Sequence, residues 1–122
     1  MNQNIKKYDL EERTAKFGEE IIALCKRIRR SHITDPLVNQ LVRSATSVGA
    51  NYMEANGASS RRDFVNKIFI CKKEAQETKH WLRMLASCHS DYAADVRRLW
   101  KESQELTLIF QKICSSARSR ST

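Results

Sequence analysis

The sequence predicts an all-α protein, a single antiparallel four-helix bundle with up-down-up-down connectivity. Its 122 residues suit one domain that builds its own core. With only 3 Gly and 1 Pro, the chain has too few breakers for many short strands and turns. Apolar or small residues also recur at alternating steps of three and four along four successive stretches. This spacing is typical of helices that each bury one face inside a bundle.

Four helices follow from the periodic stretches and the helix-end signals between them. The predicted spans are residues 9–30, 35–56, 60–88 and 91–117, and the tail 118–122 is expected to fray. Asp9 followed by Glu12 is a capping box, and Pro36 suits the first turn of the second helix. The pair Asn56-Gly57 is typical of a helix end. Because the connections are short, neighbouring helices are expected to run antiparallel.

The helices carry more apolar surface than a monomeric bundle needs. Residues off the main stripes form the predicted oligomer interface, namely Gly49, Met53, Phe69, Ile70, Trp81, Met84, Trp100 and Leu108. Exposed apolar patches usually mark interfaces, in which aromatic residues and Met are enriched. A wider buried face on each helix is the simpler interpretation for the flanking positions. Gly49 permits a close helix approach either inside the bundle or between subunits.

The chain is strongly basic, with 22 Lys and Arg against 14 Asp and Glu and a net charge of +8. Up-down connectivity gathers many of these cations at one end of the bundle, with His32 and His89 nearby. We predict that this end binds nucleic acid through Lys26, Arg27, Arg29, Arg30, Arg83, Arg97, Arg98 and Lys101. No aromatic residue interleaves with these cations in the way typical of single-strand binders, so contacts to the phosphate backbone are expected. Helix-dipole complementation and a solvated charged face are the competing interpretations.

No pattern in the chain indicates an enzyme. The single E-x-x-H motif, Glu77 to His80, lacks the second motif that a di-iron bundle requires. No phosphate loop or nucleophile elbow occurs, so we expect no cofactor, no metal and no catalysis. The four cysteines are far apart in sequence and are expected to be buried, inert thiols, with disulfide or metal roles as the alternatives; they are Cys25, Cys71, Cys88 and Cys114.

A further set of polar residues lies beside the apolar stripes rather than opposite them. The set consists of Arg43, Asn51, Glu54, Glu74 and Glu77. It could form an ion-pair network between helices or between subunits, or it could be a group of solvated surface charges. No apolar run approaches the ~20 residues of a membrane helix, and the polar start of the chain is unlike a signal peptide. We therefore expect a cytoplasmic location and no membrane contact.

Several segments resemble a known bacterial family. They are NQLVRSATSVGANYMEA at residues 39–55, ICKKEA at 70–75 and ETKHWL at 77–82. They are similar to the second and third helices of the four-helix-bundle family named for proteins encoded in intervening sequences of 23S ribosomal RNA genes. The resemblance extends from about Tyr8 to about Cys114. Its most specific part is the polar set of Arg43, Asn51 and the three glutamates.

The resemblance implies a homopentameric ring of bundles without enzymatic activity. It also implies kinship with the basic, pentameric accessory proteins of diversity-generating retroelements, which bind nucleic acid and a reverse transcriptase. The expected function is therefore a non-enzymatic homo-oligomer that binds RNA or DNA. The alternative is an oligomeric scaffold or accessory protein that binds a protein partner and has no direct nucleic-acid role.

Overall fold

The computed structural model describes residues 9–88 and 90–121, and of residues 118–121 it describes the backbone alone. Within these residues the chain forms four α-helices and no strand. The helices are α1 (Leu10–Arg27), α2 (Thr34–Asn56), α3 (Arg61–Cys88) and α4 (Ala93–Ser121). A short 3-10 helix, Ser90–Tyr92, leads into α4. The all-helical fold class predicted from the periodicity is confirmed.

The C-terminal ends of two helices differ from the bounds predicted from the sequence. Helix α1 ends at Arg27 rather than residue 30, because Ile28 is extended at φ −72° and ψ 130° and its N–H bonds the carbonyl of Cys25. The backbone of α4 is helical to Ser121, although we expected the helix to end at residue 117. Residues 115–121 contain no Gly or Pro that would stop the helix. Thr122 lies outside the described residues.

The loop between α1 and α2 also uses a cap that the sequence pattern did not single out. The Ser31 hydroxyl accepts hydrogen bonds from the backbone N–H groups of Ile33 and Thr34, at 3.2 and 3.0 Å. The Thr34 hydroxyl in turn donates to the Arg29 carbonyl at 2.8 Å. Since these bonds satisfy donors at the start of α2, they position the loop that carries Arg29 and Arg30 at the basic end.

Contacts between distant residues show that neighbouring helices are antiparallel. Helix α3 runs against α2, with Glu54 paired to Lys67 and Arg43 paired to Glu74. Helix α4 runs against both α3 and α1, and α1 packs on α2. Arg13, near the start of α1, lies beside Glu102 in the middle of α4, and Arg27 at the end of α1 lies beside Asp95 at the start of α4.

The core runs the length of the bundle and is built from the predicted stripes. Its largest fully buried side chains are Phe17, Ile21, Leu24, Leu41, Val48, Ile68, Thr78, Leu82, Leu85, Leu99, Leu106 and Phe110. Burying each Leu, Ile or Phe contributes about 1.5–3 kcal/mol relative to leaving it exposed. The Thr78 hydroxyl donates to the hydroxyl of Ser44 at 2.9 Å, which joins α3 to α2 inside this core.

The four cysteines differ in burial. Cys71 and Cys114 are buried, and Cys25 and Cys88 are partly buried. Burial raises the pKa of Cys71 to about 12 and the pKa of Cys25 to about 11. Because the thiolate is the reactive form, these two thiols behave as small apolar side chains at neutral pH.

Candidate nucleic-acid interface

The antiparallel fold brings the eight predicted basic residues to one end of the bundle. Lys26 and Arg27 end α1, Arg29 and Arg30 follow in the loop, and the other four come from α3 and α4. All eight side chains are exposed. His32 is also exposed, whereas His89 lies outside the described residues. Exposure alone does not make these residues equivalent, because their partners within the chain differ.

Three of the eight are engaged in ion pairs within the chain. Arg98 contacts Glu20 at 2.7 Å, Arg27 contacts Asp95 at 2.6 Å, and Arg30 contacts Asp35 at 3.4 Å. The first two pairs join α1 to α4. The Arg27 hydrogen bond lowers the pKa of Asp95, and the hydrogen bond to Glu20 raises the pKa of Arg98. The guanidinium groups of Arg27 and Arg98 therefore already have a role in helix packing, and that of Arg30 is already paired at the start of α2.

The other five cations make no ion pair with any described residue. They are Lys26, Arg29, Arg83, Arg97 and Lys101. Three of them line a groove of about 430 Å³ between the end of α3 and the start of α4. We call it the Trp100 groove; its lining is Arg83, Ala86, Ala93, Val96, Arg97, Trp100 and Lys101. No carboxylate is part of that lining, so each of its charged side chains is a cation.

The position of Trp100 corrects one expectation from the sequence. We expected no aromatic side chain among the cations, and the assignment of Trp100 to the oligomer interface stays a prediction. The indole is instead flanked by cations and 39% exposed, and the Lys79 ammonium lies 5.0 Å from its ring centroid. The sequence contained a signal for this arrangement. Trp100 and Lys101 follow Arg97 by three and four residues, a spacing that places both on the same helix face as Arg97.

The residues predicted to form an oligomer interface fall into three groups. Met53 and Leu108 are strongly exposed, at 53% and 58%, and Phe69 is 39% exposed. Ile70, Trp81 and Met84 are half-buried, and Trp81 packs against the core while its indole N–H donates to Glu77 at 2.9 Å. Gly49 faces α1, where an added Cβ would lie 3.3 Å from the Thr14 hydroxyl, so its close approach is made within the bundle.

A second, mostly apolar groove lies between α1 and α2, with a volume of about 310 Å³. Its floor contains small residues, and two larger apolar side chains border it. The lining residues are Glu11, Thr14, Ala15, Gly18, Glu19, Ile22, Thr46, Gly49, Ala50 and Met53. Ile22 is 39% exposed and was not identified from the sequence, because it lies off the α1 stripe. We call this feature the α1–α2 groove.

The predicted polar set divides in the structure. Arg43 bridges from α2 to α3, where it contacts Glu77 and lies 3.3 Å from Glu74. Asn51 donates instead to the Ser47 carbonyl within its own helix at 2.9 Å, and Glu54 pairs with Lys67 at 2.8 Å. Three members therefore form one cluster between helices, and two lie outside it.

The E-x-x-H residues have other partners in the structure. Glu77 accepts from both Arg43 and Trp81, and the His80 ring packs edge-on against Trp81 at 4.9 Å between centroids. Across residues 9–88 and 90–121, no cluster of three or more His, Cys, Asp or Glu side chains is suited to hold a metal ion. None of the helices in this part of the chain is both long and apolar enough to cross a membrane.

Comparisons with known proteins place this bundle in a family. Residues 6–114 match the model of the 23S rRNA-intervening sequence protein family. The chain is also similar to a solved protein of unknown function from the S23 ribosomal protein family of Bacteroides thetaiotaomicron. The two are 30% identical with a TM-score of 0.75, over 85% of this chain and 96% of that one. No curated protein matches the chain significantly. On this evidence, the chain belongs to the 23S rRNA-intervening sequence protein family.

Proposed function

We propose that this protein is a non-enzymatic, homo-oligomeric helical bundle that binds RNA or other nucleic acid through its basic end. The observation that carries the proposal is the set of five exposed cations without an ion-pair partner among the described residues, three of them around one groove. Neutralising phosphates with such side chains releases counterions, which supplies affinity without sequence readout. The family name and the net charge of +8 support the same conclusion.

The test reverses the charge of two cations that make no ion pair with a described residue. We expect Arg97→Glu with Lys101→Glu to weaken RNA binding and to lower the slope of log affinity against log salt by about two. Binding of total RNA is measured by fluorescence anisotropy from low to moderate salt. Arg98 is left intact, because its pair with Glu20 joins α4 to α1.

A matched control makes the same charge change at the far end of the bundle. Arg61 and Arg62 are exposed at the start of α3 and make no ion pair with a described residue. Arg61→Glu with Arg62→Glu therefore leaves RNA binding close to the parent value. Equal losses in the two double variants would mean that net charge, rather than the basic end, governs binding, and the proposal would be wrong.

Two unlike apolar surfaces support the homo-oligomeric part of the proposal. The α1–α2 groove is concave, whereas Phe69 and Leu108 protrude from the α3–α4 side of the bundle. Lys72 lies between these two side chains. Its ammonium lies 5.0 Å from the Phe69 ring centroid and donates a hydrogen bond to the side chain of Gln111, one helical turn from Leu108. A contact between two different faces is head-to-tail, and such a contact forms a ring when its rotation closes and an open filament when it does not. The pentameric number is taken from the family resemblance.

The assembly is tested by sedimentation of three single variants. Leu108→Glu and Met53→Lys each place a charge on one of the two faces, so both are expected to reduce the mass toward the 14.1 kDa of one chain. Ile33→Glu is the control, because Ile33 is 56% exposed in the α1–α2 connection, outside both faces. If Leu108→Glu and Met53→Lys both leave the mass of the parent unchanged, these faces do not hold subunits together.

The second candidate function is a scaffold for a protein partner. The exposure of Met53 and Leu108 favours it, because Met and large aliphatic side chains on a surface also suit an amphipathic helix from another protein. The same variants separate the two functions. An oligomeric parent whose RNA binding is unchanged in the Arg97→Glu, Lys101→Glu variant would favour the scaffold.

A further inference from the structure

We propose that the Trp100 groove binds an unpaired nucleobase, stacked on the indole, while Arg83, Arg97 and Lys101 hold the phosphates on either side of it. This inference rests on the proposed nucleic-acid function and assigns it a substrate class, single-stranded RNA or DNA. Both RNA and DNA single strands present an aromatic base on a phosphate backbone. A duplex presents no unpaired base, because its bases are already stacked on one another.

The geometry of the groove suits such a ligand. Its volume of about 430 Å³ falls within the ~300–1,000 Å³ of typical ligand pockets. Ala86, Ala93 and Val96 supply apolar surface beside the 39% exposed indole. A base stacked on an aromatic side chain gains affinity through its π-face, whichever base it is. The groove therefore combines an aromatic surface with an apolar floor.

The charges around the groove favour an anionic ligand over a neutral or basic one. Arg83 approaches from α3, and Arg97 and Lys101 approach from α4. None of the three has an ion-pair partner among the described residues, and no carboxylate lines the groove. The groove between α1 and α4 is different, because Glu20, Glu102 and Glu105 line it together with its cations. Three carboxylates thus stand against the four cations of the α1–α4 groove, whereas the Trp100 groove has none.

Helix geometry separates two adjacent arginines at this point. Arg97 lines the Trp100 groove, whereas Arg98 is turned about 100° around α4 and pairs with Glu20 on α1. One arginine is thus left for a phosphate and its neighbour holds two helices together. The step of about 100° between successive residues therefore puts Arg97 on the same side of α4 as the indole of Trp100.

The experiment compares three probes on the full-length protein. The probes are a short oligouridylate, the same backbone with abasic residues, and a duplex of equal length. The variants are Trp100→Leu, which keeps apolar bulk, and Trp100→Phe, which keeps an aromatic ring. We expect Trp100→Leu to weaken oligouridylate binding roughly 5- to 150-fold, with duplex and abasic binding nearly unchanged. Trp100→Phe should retain most of the affinity. Oligothymidylate distinguishes RNA from DNA as the source of the base.

A spectroscopic measurement reports the stacking directly. Trp81 and Trp100 are the two tryptophans of the chain, so in a Trp81→Phe background the emission comes from Trp100 alone. We expect oligouridylate to quench this emission and the abasic strand to leave it unchanged. Equal quenching by both probes would mean that phosphate contacts near the indole, rather than base stacking, cause the effect.

The outcomes separate failure of this inference from failure of the proposed function. If Trp100→Leu binds oligouridylate like the parent while Arg97→Glu with Lys101→Glu does not bind, phosphates alone are recognised and the inference is wrong. If neither change affects any probe, nucleic acid does not bind through the basic end and the proposed function is wrong. If Trp100→Leu instead lowers the assembly mass with helicity retained, Trp100 contacts a second copy of this chain and the inference is overturned.

Discussion

The α2–α3 boundary and the α1–α4 boundary of this bundle differ in their polar contacts. Between α2 and α3, ion pairs of Arg43 and Lys67 lie toward the surface, and a hydroxyl pair in the core joins Thr78 to Ser44. Between α1 and α4, ion pairs recur along the length, through Arg13, Arg98 and Arg27. Water screens partly exposed ion pairs far more than a buried hydroxyl pair, so these two kinds of contact should respond differently to salt, to pH and to mutation.

This contrast explains how the basic end is organised. Two of its arginines, Arg27 and Arg98, are used to attach α1 to α4. Of the cations without such a partner, Arg83 and Arg97 line the groove between α3 and α4, and Lys101 borders both that groove and the one between α1 and α4. The basic end therefore contains two kinds of cation, those whose ion pairs hold α1 to α4 and those that have no ion-pair partner among the described residues and can bind phosphate.

The largest effect is expected at the buried hydroxyl pair. Thr78→Val keeps the shape of the side chain but removes one of the two hydrogen-bond partners of the Ser44 hydroxyl, the other being the Leu41 carbonyl, so we expect a loss of about 1–2 kcal/mol in unfolding free energy. Urea unfolding at a fixed chain concentration measures it. Ser103→Ala is the matched comparison, because the Ser103 hydroxyl is also fully buried but has no hydrogen-bond partner among the described residues. That variant should be as stable as the parent or more so. A larger loss at Ser103 than at Thr78 would contradict this account.

A smaller, salt-sensitive effect is expected at Arg13. Its guanidinium makes a two-pronged contact with Glu102, at 2.7 and 2.8 Å, and a third contact with Glu105 at 3.2 Å. Hydrogen bonding to Glu102 raises the pKa of Arg13. Because the pair is partly exposed, Arg13→Ala should lower stability by about 1 kcal/mol at low salt. The loss should shrink in about 1 M NaCl.

Urea is again the denaturant for the Arg13 experiment, since guanidinium chloride would itself screen the pair. Arg13→Lys keeps the charge without the planar fork and should fall between the parent and Arg13→Ala. Thr78→Val, measured in the same two salt conditions, should lose the same amount in both. A salt-independent loss at Arg13 would remove the distinction between the two kinds of contact.

The smallest effect is a local change in titration at Asp95. Its hydrogen bond with Arg27 holds the pKa of Asp95 below the ordinary value of 3.8. The folded carboxyl thus has a lower pKa than the unfolded one, so the pair stabilises the fold above pH 3.8 and loses this contribution as the pH falls through the folded value. Arg27→Gln should raise the pKa of Asp95, as measured by NMR titration of the carboxyl carbon. Arg29→Gln removes an exposed arginine that has no ion-pair partner among the described residues, and should leave that pKa nearer the parent value. Equal shifts in both variants would argue against a specific Arg27–Asp95 pair.

Individual residues show where sequence reasoning worked for the candidate site and where it did not. Connectivity was enough to gather the eight cations at one end, since antiparallel helices bring α1, α3 and α4 termini together. It did not separate Arg97 from Arg98, because that depends on which side of α4 faces Glu20. Sequence reasoning also did not find Trp100 among the cations, because its hydrophobicity was considered and its helical neighbours Arg97 and Lys101 were not.

The sequence by itself determined the helical fold class and most of the core, because the spacing of apolar residues is local information that each helix carries in its own segment. It also determined the family. Only the tertiary structure decided which charges neutralise one another. Arg98 and Glu20 are 78 positions apart, and their 2.7 Å contact depends on the rotation and register of two packed helices. Ion pairs act over a few ångströms and composition records no distances, so the division of the basic end appears only once the helices are packed.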